Sequence, residues 1–261
     1  MVSTTFGPFP PDFLVVGEAH PCPYLPGRQA REEFFAVQHF PPELYHDLMD
    51  SGFRRSGFLF YRPVCGSCRE CRPIRVEAGE FRPTKSQRRV LRKNTDLDLR
   101  VGAPQFSREK FKIYSDYLSV QHKRSQCDSA PQMRESLYRS AVDTLEFEYR
   151  LRGRLVAASI ADVCSRSLSS VYAYFDPDCA DRSPGTFSAI REIMFCQEHG
   201  IRYYYLGFLV ADCPSMGYKS GFKPHELLDD LLKWVRSTPG SQQSLQTLCE
   251  AATATPAGPT S

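Results

Sequence analysis

The order of elements read between residues 105 and 208 constrains this chain most. Ser107 can cap a helix running to about residue 123, with Phe111, Tyr114, Tyr117 and Leu118 at helical spacing. Residues 146–151 and 155–162 read as strands, and Arg152-Gly153 between them is a two-residue hairpin loop. Residues 168–175 form a third strand. After a polar loop, residues 185–199 read as a helix that buries Phe187, Ile190 and Met194 and is closed by Gly200. Residues 203–208 are an aromatic strand that stops at Gly207 and opens into a loop carrying Tyr218, Lys219 and Lys223. A helix, three strands, a helix and a strand in this order predict an α+β fold with one mixed sheet.

The 261 residues suffice for one large domain or two smaller ones. Three regions are expected: an N-terminal α/β domain over residues 1–100, a second domain over 101–240 and a disordered tail over 241–261. Within the first, residues 12–82 read as short strands and one helix. The helix covers residues 43–51 and ends at Gly52, a strand over 53–62 is kinked at Gly57, and another strand covers 74–78. No apolar run reaches the length of about 18 that a membrane span needs. The first ten residues lack the basic start and apolar stretch of a secretory signal. Ten cysteines without such a signal predict free thiols in a reducing, cytoplasmic compartment.

Net charge is only +3, so any nucleic-acid surface must be a local patch. One such patch stands out. Between Arg62 and Lys93 there are ten Arg or Lys against Glu70, Glu77 and Glu80, a net +7 in 32 residues. Its end, Arg88, Arg89, Arg92 and Lys93, shares one side of a basic helix or turn. The same region holds Cys65, Cys68 and Cys71, with Cys22 upstream. Four soft ligands at this spacing can bind zinc or an iron–sulfur cluster, or they can line a reduced turn. The other six cysteines are single and read as small packing residues.

The element order is that of the GNAT acyltransferase fold, in which a loop before the central helix cradles pyrophosphate with backbone amides. Here that loop is Arg182-Ser-Pro-Gly-Thr-Phe187, and the Phe187 ring is expected to obstruct close phosphate approach. Several further blocks resemble the bacterial leucyl-tRNA–protein transferases: Cys22-Pro-Tyr-Leu-Pro-Gly-Arg-Gln-Ala, Gly52-Phe-Arg-Arg-Ser-Gly, Tyr61-Arg-Pro-Val-Cys-Gly-Ser-Cys-Arg-Glu-Cys-Arg-Pro-Ile-Arg-Val, and Ser86-Gln-Arg-Arg-Val-Leu-Arg-Lys-Asn. So do Ser169-Ser-Val-Tyr-Ala-Tyr-Phe-Asp-Pro-Asp178, Pro184-Gly-Thr-Phe-Ser-Ala-Ile-Arg-Glu-Ile193 and the Tyr203–Pro224 block, which that family shares with the arginyltransferases. The resemblance covers roughly residues 12–235. The stretch 209–215 leans toward the arginyl version.

This resemblance implies a GNAT-like catalytic half that moves an aminoacyl group from charged tRNA to the α-amine of proteins beginning with Asp or Glu. The product enters the N-end rule degradation pathway. The transfer is aminolysis of an ester. An α-amine has a pKa of about 8, so roughly a tenth is neutral at pH 7 and positioning matters more than a strong base. The scattered histidines His122 and His199 read as surface or capping residues. Tyr218 and Lys219 are the leading catalytic candidates. Asp176 and Asp178 can orient the amine or ribose hydroxyls, or simply form an Asp-Pro-Asp turn. Arg54, Arg55, Lys219 and Lys223 are candidate partners for the acceptor carboxylate, and Arg88, Arg89, Arg92 and Lys93 for tRNA phosphates. The transfer requires no cofactor, and the cysteines leave a zinc or iron–sulfur site open. Leucine is the expected cargo; arginine as cargo, a CoA-dependent N-acetyltransferase and a non-enzymatic RNA-binding module are the competing readings.

Overall fold

The structure, a computed structural model, describes residues 14–121 and 128–237. The expectations for Lys123, His122, Cys127, Cys249 and the 241–261 tail lie outside the described residues. The first half contains β1 (Val15–Val16), β2 (His20–Pro21), β3 (Gln29–Ala30), β4 (Glu32–Ala36), α1 (Pro42–Asp50), β5 (Arg54–Ser56), β6 (Leu59–Pro63), β7 (Arg72–Glu77), α2 (Lys85–Lys93) and β8 (Leu97–Gly102). The second contains α3 (Arg108–Gln121), α4 (Ala130–Met133), β9 (Thr144–Leu151), β10 (Arg154–Val163), β11 (Ser167–Phe175), α5 (Pro184–Glu198), β12 (Tyr203–Leu209), β13 (His225–Leu228) and β14 (Trp234–Arg236).

An eight-stranded sheet in the order β14-β13-β7-β12-β11-β10-β9-β8 organises the molecule. The β9–β10 hairpin turns at Arg152 and Gly153, with φ of 50° and 84°, as the Arg-Gly pair predicts. β11 and β12 are the parallel pair of this sheet, and α5 is the crossover between them. This is the helix–strand–strand–strand–helix–strand order expected from the sequence. The sheet also crosses the division placed at residue 100: β7 lies between β12 and β13, and β8 pairs with β9. The neighbouring four-stranded sheet, β1-β4-β6-β5, comes entirely from the first 63 residues.

Two local expectations change. Residues 53–62 are two strands, because Gly57 at φ 60° turns a β5–β6 hairpin instead of kinking one strand. β12 does not stop at Gly207. It runs to Leu209, with a register shift against β7 between Tyr205 and Gly207. β13 and β14, in a stretch that carried no expectation, extend the sheet beside β7.

Alternation along the strands builds two layers against the sheet. On one face, Phe147, Tyr149, Leu168, Tyr204 and Leu206 pack under α5 and α2 with Ile190 and Ile193. On the other face, Tyr203 and Tyr205 pack with Phe35, Tyr45 and Phe60 of the N-terminal unit, and Ala158 and Ile160 pack under α3. Each fully buried aromatic side chain contributes on the order of 1.5–3 kcal/mol. α2 is set by a capping box: Thr84 accepts from the Gln87 amide and the Gln87 side chain accepts from the Thr84 amide. Among the described residues no helix is long and apolar enough to cross a membrane.

Candidate active site

β11 and β12 pair only over three positions, from Ser167↔Tyr203 to Ser169↔Tyr205. Beyond them the strands part, and a small cleft opens on the α5 face. Its lining includes Ser170 and Ala173 of β11, Ser188 and Glu192 of α5, Tyr204 and Leu206 of β12. Tyr218 stands at the same cleft, reaching it from the short turn Gly217–Gly221. Its residue is 46% exposed. Burial of the phenol raises its pKa to about 12, assisted by Tyr117 and Glu192.

Glu192 closes the bottom of this cleft and is 1% exposed. Its Oε1 accepts from Ser159 Oγ at 2.6 Å and Ser188 Oγ at 2.7 Å, and its Oε2 accepts from Tyr204 OH at 2.7 Å. Burial raises the Glu192 pKa, and the three hydroxyls oppose that shift. No cation pairs with it among the described residues. The sequence reading missed this group. Its signal was a lone acid on the buried stripe of α5, four residues after Ser188.

Lys219 is 9% exposed and lies beside the cleft's strand end. Nζ donates to Phe208 O at 2.9 Å and approaches Met216 Sδ at 3.3 Å. Arg54 grips the neighbouring carbonyl, with Nη2 to Gly207 O at 2.8 Å and Nη1 to Ser169 Oγ at 2.9 Å. It therefore spans β11 and β12 where they separate. Its buried Nε has no partner. Gly207 is required here: φ is +91°, and an added Cβ would stand 3.4 Å from Lys219 Nζ.

Burial, then the Arg54 charge, lowers Lys219 from 10.5 to about 7. In the folded chain it therefore releases its proton before it does in the unfolded chain. Below about 7 both states hold the proton and the burial cost is complete, whereas between about 7 and 10.5 only the unfolded state holds it. Stability is expected to rise with pH through that window, and Lys219→Met to flatten the rise. Urea unfolding at pH 7 and at about pH 9.5 measures it.

The other predicted residues divide. Arg55 does not reach the cleft: it is fully buried with Asp162, Nη2 to Oδ1 at 2.6 Å and Nε to Oδ2 at 2.7 Å. Asp176 is not among the cleft's lining residues. Its Oδ1 accepts from the Asp178 amide at 3.0 Å and its Oδ2 pairs with Arg154 at 3.0 Å, the turn reading of Asp-Pro-Asp. Lys223 is exposed. His199 caps the end of α5, Nδ1 lying 2.9 Å from Phe195 O. Phe187 does not obstruct the start of α5. Its ring is buried against Tyr149, centroids 5.4 Å apart, because position 187 lies on the core stripe of the helix.

α2 is tied to two segments next to the cleft. Gln87 Nε2 donates to Gly221 O at 3.2 Å, tying it to the Tyr218 turn. At the other end Asn94 Nδ2 donates to Arg182 O at 2.9 Å and Lys93 pairs with Asp181 at 2.8 Å, next to the start of α5. Arg88, Arg89 and Arg92 are exposed and form no ion pair among the described residues. Much of the basic stretch is otherwise engaged: Arg62 pairs with Glu33, Arg72 with Asp230, and Arg75 with Asp50 and Glu226.

Cys22, Cys68 and Cys71 pack with Leu25, Val210, Cys213 and Met216, directly behind the Lys219 turn. Burial and the adjacent Cys65, Cys22 and Cys68 push the Cys71 thiol up to about 12. Four cysteine sulfurs are the donor chemistry of a thiophilic metal. Among the described residues, however, no three His, Cys, Asp or Glu side chains stand together in positions to hold an ion.

Residues 20–89 match the family described as "Arginine-tRNA-protein transferase, N terminus", and residues 109–229 the family described as "Arginine-tRNA-protein transferase, C terminus". An aspartate/glutamate leucyltransferase of Marinobacter nauticus is 38% identical over 81% of this chain and 90% of its own length. One of Pseudomonas putida is 36% identical over 84% and 94%. Among solved structures, L-PGS of Bacillus licheniformis matches with a TM-score of 0.45 at 14% identity, over 69% of this chain and 64% of its own. With two successive transferase regions matched and nearly full-length relatives above 35% identity, this chain belongs to the aspartate/glutamate leucyltransferase family and is an aminoacyltransferase.

Proposed function

We propose that this enzyme transfers leucine from leucyl-tRNA to the N-terminal α-amine of proteins that begin with Asp or Glu, in the cytoplasm, and so marks them for N-end rule degradation. The observation that carries the reading is the cleft at the β11–β12 parting, with α2 and its exposed arginines tied to segments next to it. The acceptor stem lies along Arg88, Arg89, Arg92 and Lys93, and the 3′ end with its aminoacyl ester enters the cleft. Ala173, Ala189 and Leu206 give the lining an apolar part that suits leucine over arginine.

The acceptor carboxylate is met by the cations at the strand end. Arg54 and Lys219 are both buried without a carboxylate partner, so an incoming carboxylate repays part of their desolvation. Lys223 adds charge outside. The neutral acceptor amine attacks the ester carbonyl, the C–O bond to the ribose breaks, and the ribose oxygen leaves with the proton that the amine loses. Tyr218 OH is the hydroxyl at the mouth of the cleft that can donate to the carbonyl or the leaving oxygen. Asp176 serves this site indirectly, by capping the turn that follows β11. Incubation with leucyl- and arginyl-tRNA and an Asp- or Glu-starting peptide tests the reading. Leucine transfer is expected, and transfer of neither label overturns it.

Cys22, Cys65, Cys68 and Cys71 would hold a zinc ion or iron–sulfur cluster, which would supply a structural clamp between residues 22–25 and 65–71. Cys68→Ser together with Cys71→Ser is expected to abolish any stoichiometric metal measured by elemental analysis and to lower the melting temperature by several degrees. Equal metal content in both proteins counts against this site.

A further inference from the structure

We infer that the buried Glu192 carboxylate is the seat of the α-ammonium group of the aminoacyl residue, which makes it a specificity-determining residue for the donor. The inference rests on aminoacyl-tRNA being the donor. A carboxylate offers about four acceptor sites, and three are filled by Ser159, Ser188 and Tyr204. Oε1 takes two of these bonds and Oε2 takes one, so the open acceptor position is on Oε2. Ser188, Glu192 and Tyr204 all line the cleft.

A buried anion without a cation costs folding free energy, and its raised pKa reflects that cost. A fold that keeps such a group at the base of a cleft, with three hydroxyls aimed at it, is prepared for a cationic ligand. The aminoacyl ester brings one cation of fixed position, the α-ammonium next to the reacting carbonyl. Holding it protonated also stops the donor's own amine from acting as a nucleophile. The acceptor amine does not suit this place, because it must be neutral to attack. The neutral leucine side chain is left for the apolar part of the lining, Ala173, Ala189 and Leu206.

The test is a binding measurement, independent of turnover. Two adenosines carry a non-transferable 3′-amide, one of leucine and one of its α-hydroxy counterpart. Calorimetry is expected to show the wild-type protein binding the amino compound about tenfold or more tightly than the hydroxy compound, the range for a charge-assisted bond. Glu192→Gln is expected to bring the two within about twofold. No preference in the wild type, or an undiminished preference in the variant, overturns the inference. Should Glu192→Gln fail to melt cooperatively, Tyr204→Phe decides instead. It removes a donor to Oε2 that helps hold the carboxylate ionised, so the preference for the amino compound is expected to change, and an unchanged preference overturns the inference. Failure of wild-type transfer from leucyl-tRNA would remove the donor reading itself. Transfer without amino preference would remove only the role of Glu192.

Discussion

Replacing Arg88, Arg89 and Arg92 together by alanine is expected to weaken leucyl-tRNA binding roughly hundredfold at low salt, with the melting temperature unchanged. Each lost phosphate contact removes on the order of one unit from the slope of log affinity against log salt, so the slope is expected to fall by about three. The three side chains are exposed on α2, and their loss breaks no ion pair among the described residues. Arg88 donates to Pro83 O at 2.5 Å, a local bond at the rim of the helix. The helix itself is held by the Thr84–Gln87 capping box and by Gln87 and Asn94, which the variant keeps. Filter binding over a salt series measures both quantities. An unchanged slope would place the tRNA elsewhere.

Arg55→Ala is expected to destabilise the fold by about 3–5 kcal/mol, the cost of leaving a buried charge without its partner. Arg55 and Asp162 are both completely buried. Asp162 also accepts from Tyr45 OH at 2.7 Å and from Thr144 Oγ1 at 2.9 Å, and Arg55 Nη1 donates to Gly57 O and Arg139 O, each at 2.9 Å. The pair thus fastens the β5–β6 hairpin of the N-terminal sheet onto β10. Asp162→Asn in the same chain is expected to recover part of the loss, because it removes the stranded charge and keeps one acceptor oxygen, for Tyr45 or for Thr144. Urea denaturation of the two variants measures the difference. The contrast with Arg54 is instructive. Two adjacent arginines on one short strand have separate environments, one with a carboxylate and one without.

Local rules carried much of the fold. The Arg152-Gly153 hairpin, the Ser107 cap of α3 and the Gly200 end of α5 follow from residues that lie next to one another. Ser107 Oγ accepts from the Lys110 amide at 3.2 Å, as a cap should. Gly57 was harder. A positive-φ glycine inside an alternating run reads equally as a kink or a turn, and the partner strand decides between them. The Phe187 expectation failed because a motif position says nothing about which side of the helix a ring takes, and here that side is the core.

The candidate site divides along the same line. Tyr218, Lys219 and the arginine face of α2 were visible as a loop and a charge run. Arg54 and Arg55 looked alike, and Glu192 looked like one acid among thirty acidic residues. Their meaning depends on partners 33 to 153 residues away: Ser159 for Glu192, Asp162 for Arg55 and Gly207 for Arg54.

By itself, then, the sequence determined the order of helices and strands between residues 105 and 208, the family and the location of the cationic loop, because each is written in short-range periodicity, turn chemistry and contiguous motifs. Only the tertiary structure decided that β7 enters the sheet beside β12, that β11 and β12 part after three paired positions, and that a carboxylate without a cation lies below the parting. Strand pairing and burial join residues distant along the chain, and desolvation, which gives Glu192 and Lys219 their altered acidity, arises only when those distant residues exclude water together.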